Sequence, residues 1–166
     1  MTAPTAPRGR GDRGAVAVEF ALVVPILVAI LLAIIDFGLW FSDSIGVRQG
    51  AREGARVGIV SDFAAENCPQ LGPGPKTACV TKDRIGAVGG QPWVRVFVAG
   101  DKPWVEGNTL VVCVALQESG LTGFTPMPQG GVLRTITKSR IQMDNPSGPT
   151  AASDTVPAEV GWDWCA

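Results

Sequence analysis

The sequence predicts an α+β protein in which a long N-terminal helix, transmembrane in its first half, is followed by a small antiparallel β-sheet domain. Three observations carry this prediction. The run from Phe20 to Ile35 contains no charged residue, small residues recur at regular intervals after it, and three β-rich segments occupy the second half of the chain. A chain of 166 residues accommodates one such domain and one membrane segment.

Residues 1–14 form a basic leader rich in Pro, Gly, Thr and Arg. Arg8, Arg10 and Arg13 flank the apolar run on its N-terminal side. Positive charge on one side of a membrane helix holds that side in the cytoplasm. We therefore expect a cytoplasmic N-terminus and an extracytoplasmic domain over residues 61–166.

Residues 15–60 are predicted to form one long helix. From Ala15 to Asp36 the helix would rise about 32 Å at about 1.5 Å per residue, which matches a bilayer hydrocarbon core of about 30 Å. The apolar run is longer than that of a cleavable secretory signal, and no clean small-x-small cleavage site follows it before Gly46. We expect a retained, single-pass helix that places the protein in the cytoplasmic membrane, in contact with the lipid bilayer.

The second half of this predicted helix carries a glycine stripe, formed by Gly46, Gly50, Gly54 and Gly58. A four-residue period places all four on one helix face, where small residues allow another helix to approach closely. Glycine in a helix interior costs up to about 1 kcal/mol relative to alanine, which indicates a helix-packing role for the stripe. A glycine-rich loop is the alternative, although a loop would not be expected to keep this period.

The remaining segment, residues 61–166, is predicted to be rich in strands. Ser61 to Pro92, rich in Pro and Gly, is interpreted as a stapled loop. We expect a small antiparallel sheet that is covered on one face, by the second half of the long helix, and we interpret residues 145–155 as linker-like. The expected strands are Trp93–Ala99, Thr109–Gln117 and Val132–Met143.

All four cysteines lie beyond the apolar run, at Cys68, Cys79, Cys113 and Cys165. An even number on one side of a membrane is typical of disulfides in an oxidising exterior. Among the three possible connectivities we favour Cys68 with Cys79 and Cys113 with Cys165. Four buried thiols in a reduced compartment are the alternative, since free cysteine packs well as a small hydrophobe.

The sequence contains little that indicates catalysis. It has no histidine and no tyrosine, and no pair of carboxylates occurs in a recognisable catalytic motif. The signatures GxSxG, HExxH, Walker A and GxGxxG are absent, as is a CxxC pair for zinc. We therefore predict a protein that is not an enzyme, with no cofactor, no metal and no nucleic-acid partner.

Four features of the N-terminal region occur together. An acid, Glu19, stands at the fifth position after Gly14, and Pro25 interrupts the apolar run. An Asp-Phe-Gly triplet at residues 36–38 and an AREGAR element at residues 51–56 follow. This region resembles the TadE-like proteins, pseudopilins of the tight-adherence (Flp) type IV pilus system. The resemblance covers about the first 60 residues and is looser beyond them.

The resemblance implies that a prepilin peptidase cuts between Gly14 and Ala15 and removes the leader. Glu19 would then be residue five of the mature chain and would pair with the new N-terminal amine of a neighbouring subunit. Such a charge pair in low dielectric is favourable only when both partners are in place, so it favours neighbouring subunits that are aligned in the correct register. Pro25 frees a backbone carbonyl and would loosen the helix where subunits pack.

The function that the resemblance implies is that of a minor pilin-like subunit that assembles, initiates or caps a tight-adherence pilus. Its expected partners are a prepilin peptidase, other pilin-like subunits, the inner-membrane platform of the pilus machinery and a cytoplasmic ATPase. The alternative is an extracytoplasmic binding or adhesion domain for which the helix is only an anchor.

Overall fold

A computed structural model of the protein describes residues 12–63, 68–86, 90–118, 120–123 and 126–166, with Asp12 and Arg13 described by their backbone alone. Residues 1–11 of the predicted leader lie outside the described residues. The expected fold class, a long N-terminal helix followed by a small antiparallel sheet, is confirmed. The elements in chain order are helix α1 (Asp12–Val60), helix α2 (Pro73–Ile85), strand β1 (Pro92–Val98), strand β2 (Thr109–Gln117), a short 3-10 turn (Pro128–Gly131), strand β3 (Val132–Arg140) and strand β4 (Ala152–Ser153).

The chain divides into two units, residues 1–35 and residues 36–166. The described part of the first unit is the first half of α1, which contains Pro25. From residue 14 to residue 35 its side chains are exposed, except for half-buried Val24, Leu32 and Ala33. α1 is long and apolar enough to cross a membrane.

The second unit contains a four-stranded antiparallel sheet in the order β3-β2-β1-β4. β4 lies in the segment interpreted as linker-like, and that interpretation is wrong at Ala152 and Ser153, which pair with β1. Two residues are too few to show a periodic pattern in sequence. β3 ends at Arg140 rather than Met143, because the backbone N–H groups of Gln142 and Met143 donate to Ile59 at the end of α1.

One face of the sheet packs on the helices and holds the main core. Alternate residues of β1, Val94, Val96 and Val98, point to this face. The second half of α1 and α2 cover it together, whereas the sequence predicted that α1 alone would do so. The helical residues in this core are Val47, Ala51, Ala55, Ala78 and Ile85.

The opposite face of the sheet is covered by the C-terminal segment. Cys165, Trp162 and Trp164 pack there against Cys113 and Val111 of β2. The prediction of a sheet covered on one face is therefore wrong. Burial on both faces explains why β2 reads as a near-continuous apolar run rather than an alternating one.

Helix α2 lies within the segment that the sequence analysis interpreted as a loop, and that interpretation is wrong over Pro73–Ile85. Pro73 lies in the first turn of α2. The N–H groups of this turn have no acceptor within the helix, so the N–H that proline lacks is not needed there. The hydroxyls of Thr77 and Thr81 donate to the carbonyl oxygens four residues earlier, both at 2.7 Å. These bonds satisfy the two threonines inside the core and allow a helix of low hydropathy to be buried.

Two disulfides connect the elements of this unit. Cys68 bonds to Cys79 of α2, and Cys113 of β2 bonds to Cys165 in the C-terminal segment. Both pairs are those favoured from the sequence. The first ties α2 to the segment that precedes it, and the second holds the C-terminal segment on the sheet.

Candidate functional site

The N-terminal motif residues lie on the first half of α1. Gly14, Ala15, Glu19 and Pro25 are all exposed. A β-carbon added at Gly14 would meet no atom within 4 Å. The carboxylate and the surrounding apolar side chains of this half are therefore accessible to other molecules, such as lipid or a second helix.

The glycine stripe lies against α2 of the same chain. A β-carbon on Gly46 would stand 2.7 Å from the carbonyl oxygen of Ile85, and one on Gly58 would stand 2.8 Å from Oγ1 of Thr77. At Gly54 the added carbon would overlap Oγ1 of Thr81. The order of these contacts shows that α2 runs antiparallel to α1 along the stripe. The helix that approaches is thus supplied by the chain itself, by a helix that the sequence analysis did not predict.

The AREGAR element, residues 51–56, divides into an inner and an outer face. Ala51 and Ala55 are buried in the core, and Gly54 lies in the stripe. Arg52 and Arg56 are exposed. The motif therefore combines small residues that admit neighbouring elements with charged residues that keep the outer face hydrated.

Asp36, at which the apolar run ends, holds a loop of the second unit. Its side chain is only 1% exposed. Oδ1 accepts hydrogen bonds from the backbone N–H groups of Leu121 at 3.1 Å and Thr122 at 3.2 Å, and the Thr122 hydroxyl donates to Oδ2. A buried carboxylate needs such donors to offset its lost hydration. Asp36 thus fixes the loop after β2 to α1.

A second acid of α1, Asp43, lies beside Glu118 at the end of β2. Both side chains are buried, with 3% and 5% of their surface exposed. Burial, together with the hydrogen bond and the charge of the neighbouring Asp43 carboxyl, raises the pKa of Glu118 to about 8. Glu118 is therefore protonated at neutral pH, which allows two acids to be buried side by side.

This arrangement was not predicted from the sequence. Asp36 was considered only as the end of the apolar run and as part of the Asp-Phe-Gly triplet, and no role was given to Glu118 or Thr122. The sequence contains one indication that these acids face the core. Asp36, Asp43 and Gly50 are spaced by seven residues and therefore share a helix face. Within the described part of the chain, no three His, Cys, Asp or Glu side chains come together in a way that could hold a metal ion.

These features define a class of protein: one apolar N-terminal helix, long enough to span a membrane, that continues into a disulfide-linked α+β unit. Residues 14–56 match the family model described as TadE-like protein. The resemblance drawn from the motif residues is confirmed over this segment, which is similar to TadE-like proteins. This match suggests an association with the tight-adherence pilus. No curated protein and no solved structure matches the chain.

Proposed function

We propose that the protein is a minor pilin-like (pseudopilin) subunit that takes part in assembly of a tight-adherence type IV pilus through packing of its N-terminal helix. The observation that carries this proposal is the TadE-like match over residues 14–56, which includes Gly14, Glu19 and Pro25. Its partners in this proposal are a prepilin peptidase, other pilin-like subunits, the inner-membrane platform, the assembly ATPase and the bilayer itself.

In the proposed topology, the leader of residues 1–14 is cytoplasmic, the first half of α1 crosses the membrane, and residues 61–166 are extracytoplasmic. The leader arginines support this orientation through the positive-inside bias. The two disulfides support it as well, because such bonds persist in oxidising compartments.

The proposed mechanism begins with cleavage between Gly14 and Ala15, which frees an amine at the membrane surface. Glu19, exposed on α1, then pairs with the amine of a neighbouring subunit. The same neighbours bury the apolar surface around it, for example Phe20 at 69% exposure and Leu22 at 70%. Van der Waals packing of this kind associates helices in lipid, where the hydrophobic effect between helices is absent. Pro25 leaves one carbonyl without its helical donor and gives the packed helices local freedom.

One observation favours the alternative function, an anchored binding or adhesion domain. The glycine stripe is occupied by α2, so it is not available to a second subunit in this conformation. A helix used only as an anchor would need no further packing surface. In the pilin proposal, contacts between subunits therefore come from the first half of α1.

The N-terminus of the mature protein distinguishes these two functions. Protein purified from membranes of cells that contain the prepilin peptidase is expected to begin at Ala15, measured by intact mass and N-terminal sequencing. Gly14→Val is the matched variant and is expected to retain the leader. A wild-type chain that still begins before Ala15 would overturn the pseudopilin proposal and favour the anchored domain.

The role of Glu19 is tested separately by counting pili on cells that carry Glu19→Ala or Glu19→Gln. Both variants remove the negative charge, and Glu19→Gln retains the size of the side chain. We expect a loss of about tenfold or more in assembled pili for both, because the pairing partner of the amine is gone. Normal pilus numbers with correctly cleaved protein would show that the pairing is not required.

A further inference from the structure

The loop that follows β2 differs in composition from the other long connections of the second unit. Residues 119–131, which connect the buried Glu118 to β3, contain no charged residue. By contrast, the connection between β1 and β2 contains Asp101, Lys102 and Glu106. Surface loops normally carry charged side chains, so a long uncharged loop indicates that its surroundings are not simply water.

Asp36 determines where this loop lies along α1. The backbone N–H groups of Leu121 and Thr122 donate to Oδ1 of Asp36, and Asp36 directly follows Ile35, the last residue of the uncharged run. The loop is therefore held at the level of the helix at which the apolar run ends. In a spanning helix, this level is the interface between hydrocarbon and water.

Two large apolar side chains are exposed near this level. Leu121 is 75% exposed and Phe41, about 7.5 Å further along the helix axis, is 59% exposed. Between residues 37 and 47, α1 contains one acid, Asp43, which is 3% exposed. The acids of this region are thus shielded by hydrogen bonds and burial, while a leucine and an aromatic ring face outward.

We propose that Leu121 enters the surface of the bilayer beside α1, so that the loop of residues 120–123 docks the second unit on the lipid and Asp36 sets its depth. This proposal rests on the membrane anchoring of α1 proposed above. The occupant is lipid rather than protein, because the exposed leucine is tied to the residue where the membrane segment ends. Docking would fix the height of the second unit above the membrane.

The test places an environment-sensitive fluorophore, nitrobenzoxadiazole, at position 121 through Leu121→Cys in the full-length protein. The protein is reconstituted in vesicles of phosphatidylethanolamine and phosphatidylglycerol, some of which carry a spin label near the headgroup. Intact mass verifies that both native disulfides remain. We expect the emission to shift to the blue and to be quenched about twofold by the spin-labelled lipid, as for a residue at the interface.

Leu71→Cys is the matched control, because Leu71 is also an exposed leucine, at 81%. It precedes the start of α2 by two residues, and α2 begins beside the distal end of α1, where Thr77 packs on Gly58. Gly58 lies about 33 Å along the helix from Asp36. A label at position 71 is therefore expected to emit as in water and to be insensitive to the spin-labelled lipid.

The possible outcomes separate the proposal from the anchoring on which it rests. A chain that does not float with the vesicles overturns both. A chain that floats but shows equal quenching at positions 121 and 71 overturns the lipid contact alone. A blue shift at position 121 that increases with the ratio of protein to lipid indicates that a neighbouring protein covers the label. This outcome also overturns the lipid contact. Quenching at position 121 that is independent of this ratio supports the proposal.

Discussion

The two halves of α1 differ both in composition and in what surrounds them. From residue 14 to residue 35 the helix exposes its side chains in all directions, including the acid Glu19. From residue 36 to residue 60 one face is buried in the chain's own core, and two of the three acids of this half, Asp36 and Asp43, are 1% and 3% exposed. A continuous helix therefore contains a half that offers its surface to other molecules and a half whose inner face is already occupied.

This difference separates two uses of a carboxylate in an apolar helix. Asp36 obtains its hydrogen bonds from Leu121 and Thr122 within the chain, so its role is structural and is complete in one molecule. Glu19 is exposed on the other half, where its proposed partner is the amine of another subunit. Substitutions in the two halves should therefore affect different properties, folding in one and assembly in the other.

The largest expected effect concerns the pH dependence that Glu118 adds to the second half. Its pKa is raised from 4.5 to about 8 by burial and by Asp43. The folded state therefore gains stability from holding Glu118 in its protonated form. This contribution to the free energy of unfolding is fully present below pH 4.5, decreases as pH rises, and is lost above about pH 8. Glu118→Gln remains neutral throughout. Its free energy of unfolding should exceed that of the wild type increasingly between pH 5 and 9, by at most about 5 kcal/mol.

The measurement is urea unfolding of the full-length protein in detergent micelles, followed by tryptophan fluorescence, since Trp104 is fully buried. Glu106→Gln, at an exposed acid of the same unit, is the control and should change stability by less than about 0.5 kcal/mol. A difference between Glu118→Gln and wild type that is the same at pH 5 and pH 9 would contradict the shared burial of Asp43 and Glu118.

The next effect compares the two acids directly through Asp36→Ala and Glu19→Ala. Asp36→Ala removes the acceptor of two backbone N–H groups and one hydroxyl, and should lower the free energy of unfolding by about 2 to 3 kcal/mol. Glu19→Ala removes an exposed side chain and should change it by less than about 0.5 kcal/mol, while pilus assembly is lost. The same unfolding measurement serves for both variants.

Asp36→Asn serves as an intermediate, because its carbonyl oxygen can accept hydrogen bonds in place of one carboxylate oxygen. It should recover part of the stability lost in Asp36→Ala. If Asp36→Ala and Glu19→Ala unfold at the same urea concentration, the two halves of α1 do not differ in the way described here.

The elements whose sequence pattern is long or strongly periodic were predictable. α1 follows from a helical pattern that extends from the apolar run through the glycine stripe, and β2 from its apolar run. The disulfide pairing also agreed with the sequence-based choice. The helix and strand signals are local, so each could be interpreted without knowledge of the rest of the fold, whereas the pairing of Cys113 with Cys165 was a choice among three connectivities.

The features that were missed depend on tertiary contacts. α2 contains two prolines and a glycine in its first turn and two buried threonines, so its composition indicated a loop. Its stability as a helix comes from packing on the glycine stripe, which no pattern within residues 73–85 reveals. The contact of Asp43 with Glu118 joins residues far apart in sequence, and a single sequence gives no information about such a pairing.

The smallest expected effect tests the occupied face of α1 with one substitution at two glycines. A β-carbon at Gly54 would overlap Thr81, whereas one at Gly38 would meet no atom within 4 Å. Gly54→Ala should therefore force the helices apart and lower the free energy of unfolding by about 1 to 3 kcal/mol. Gly38→Ala should raise it by up to about 1 kcal/mol, because alanine is the better helix former.

The opposite signs of these two effects are informative because both variants make the same chemical change in the same helix. If helix propensity alone decided the result, both substitutions would be stabilising. If α1 tolerated no substitution at any glycine, both would be destabilising. Only close packing of α2 on the stripe predicts a loss at residue 54 and a gain at residue 38. A gain at both positions in urea unfolding would mean that α2 does not occupy the stripe in solution, and the stripe would then be open to a second subunit.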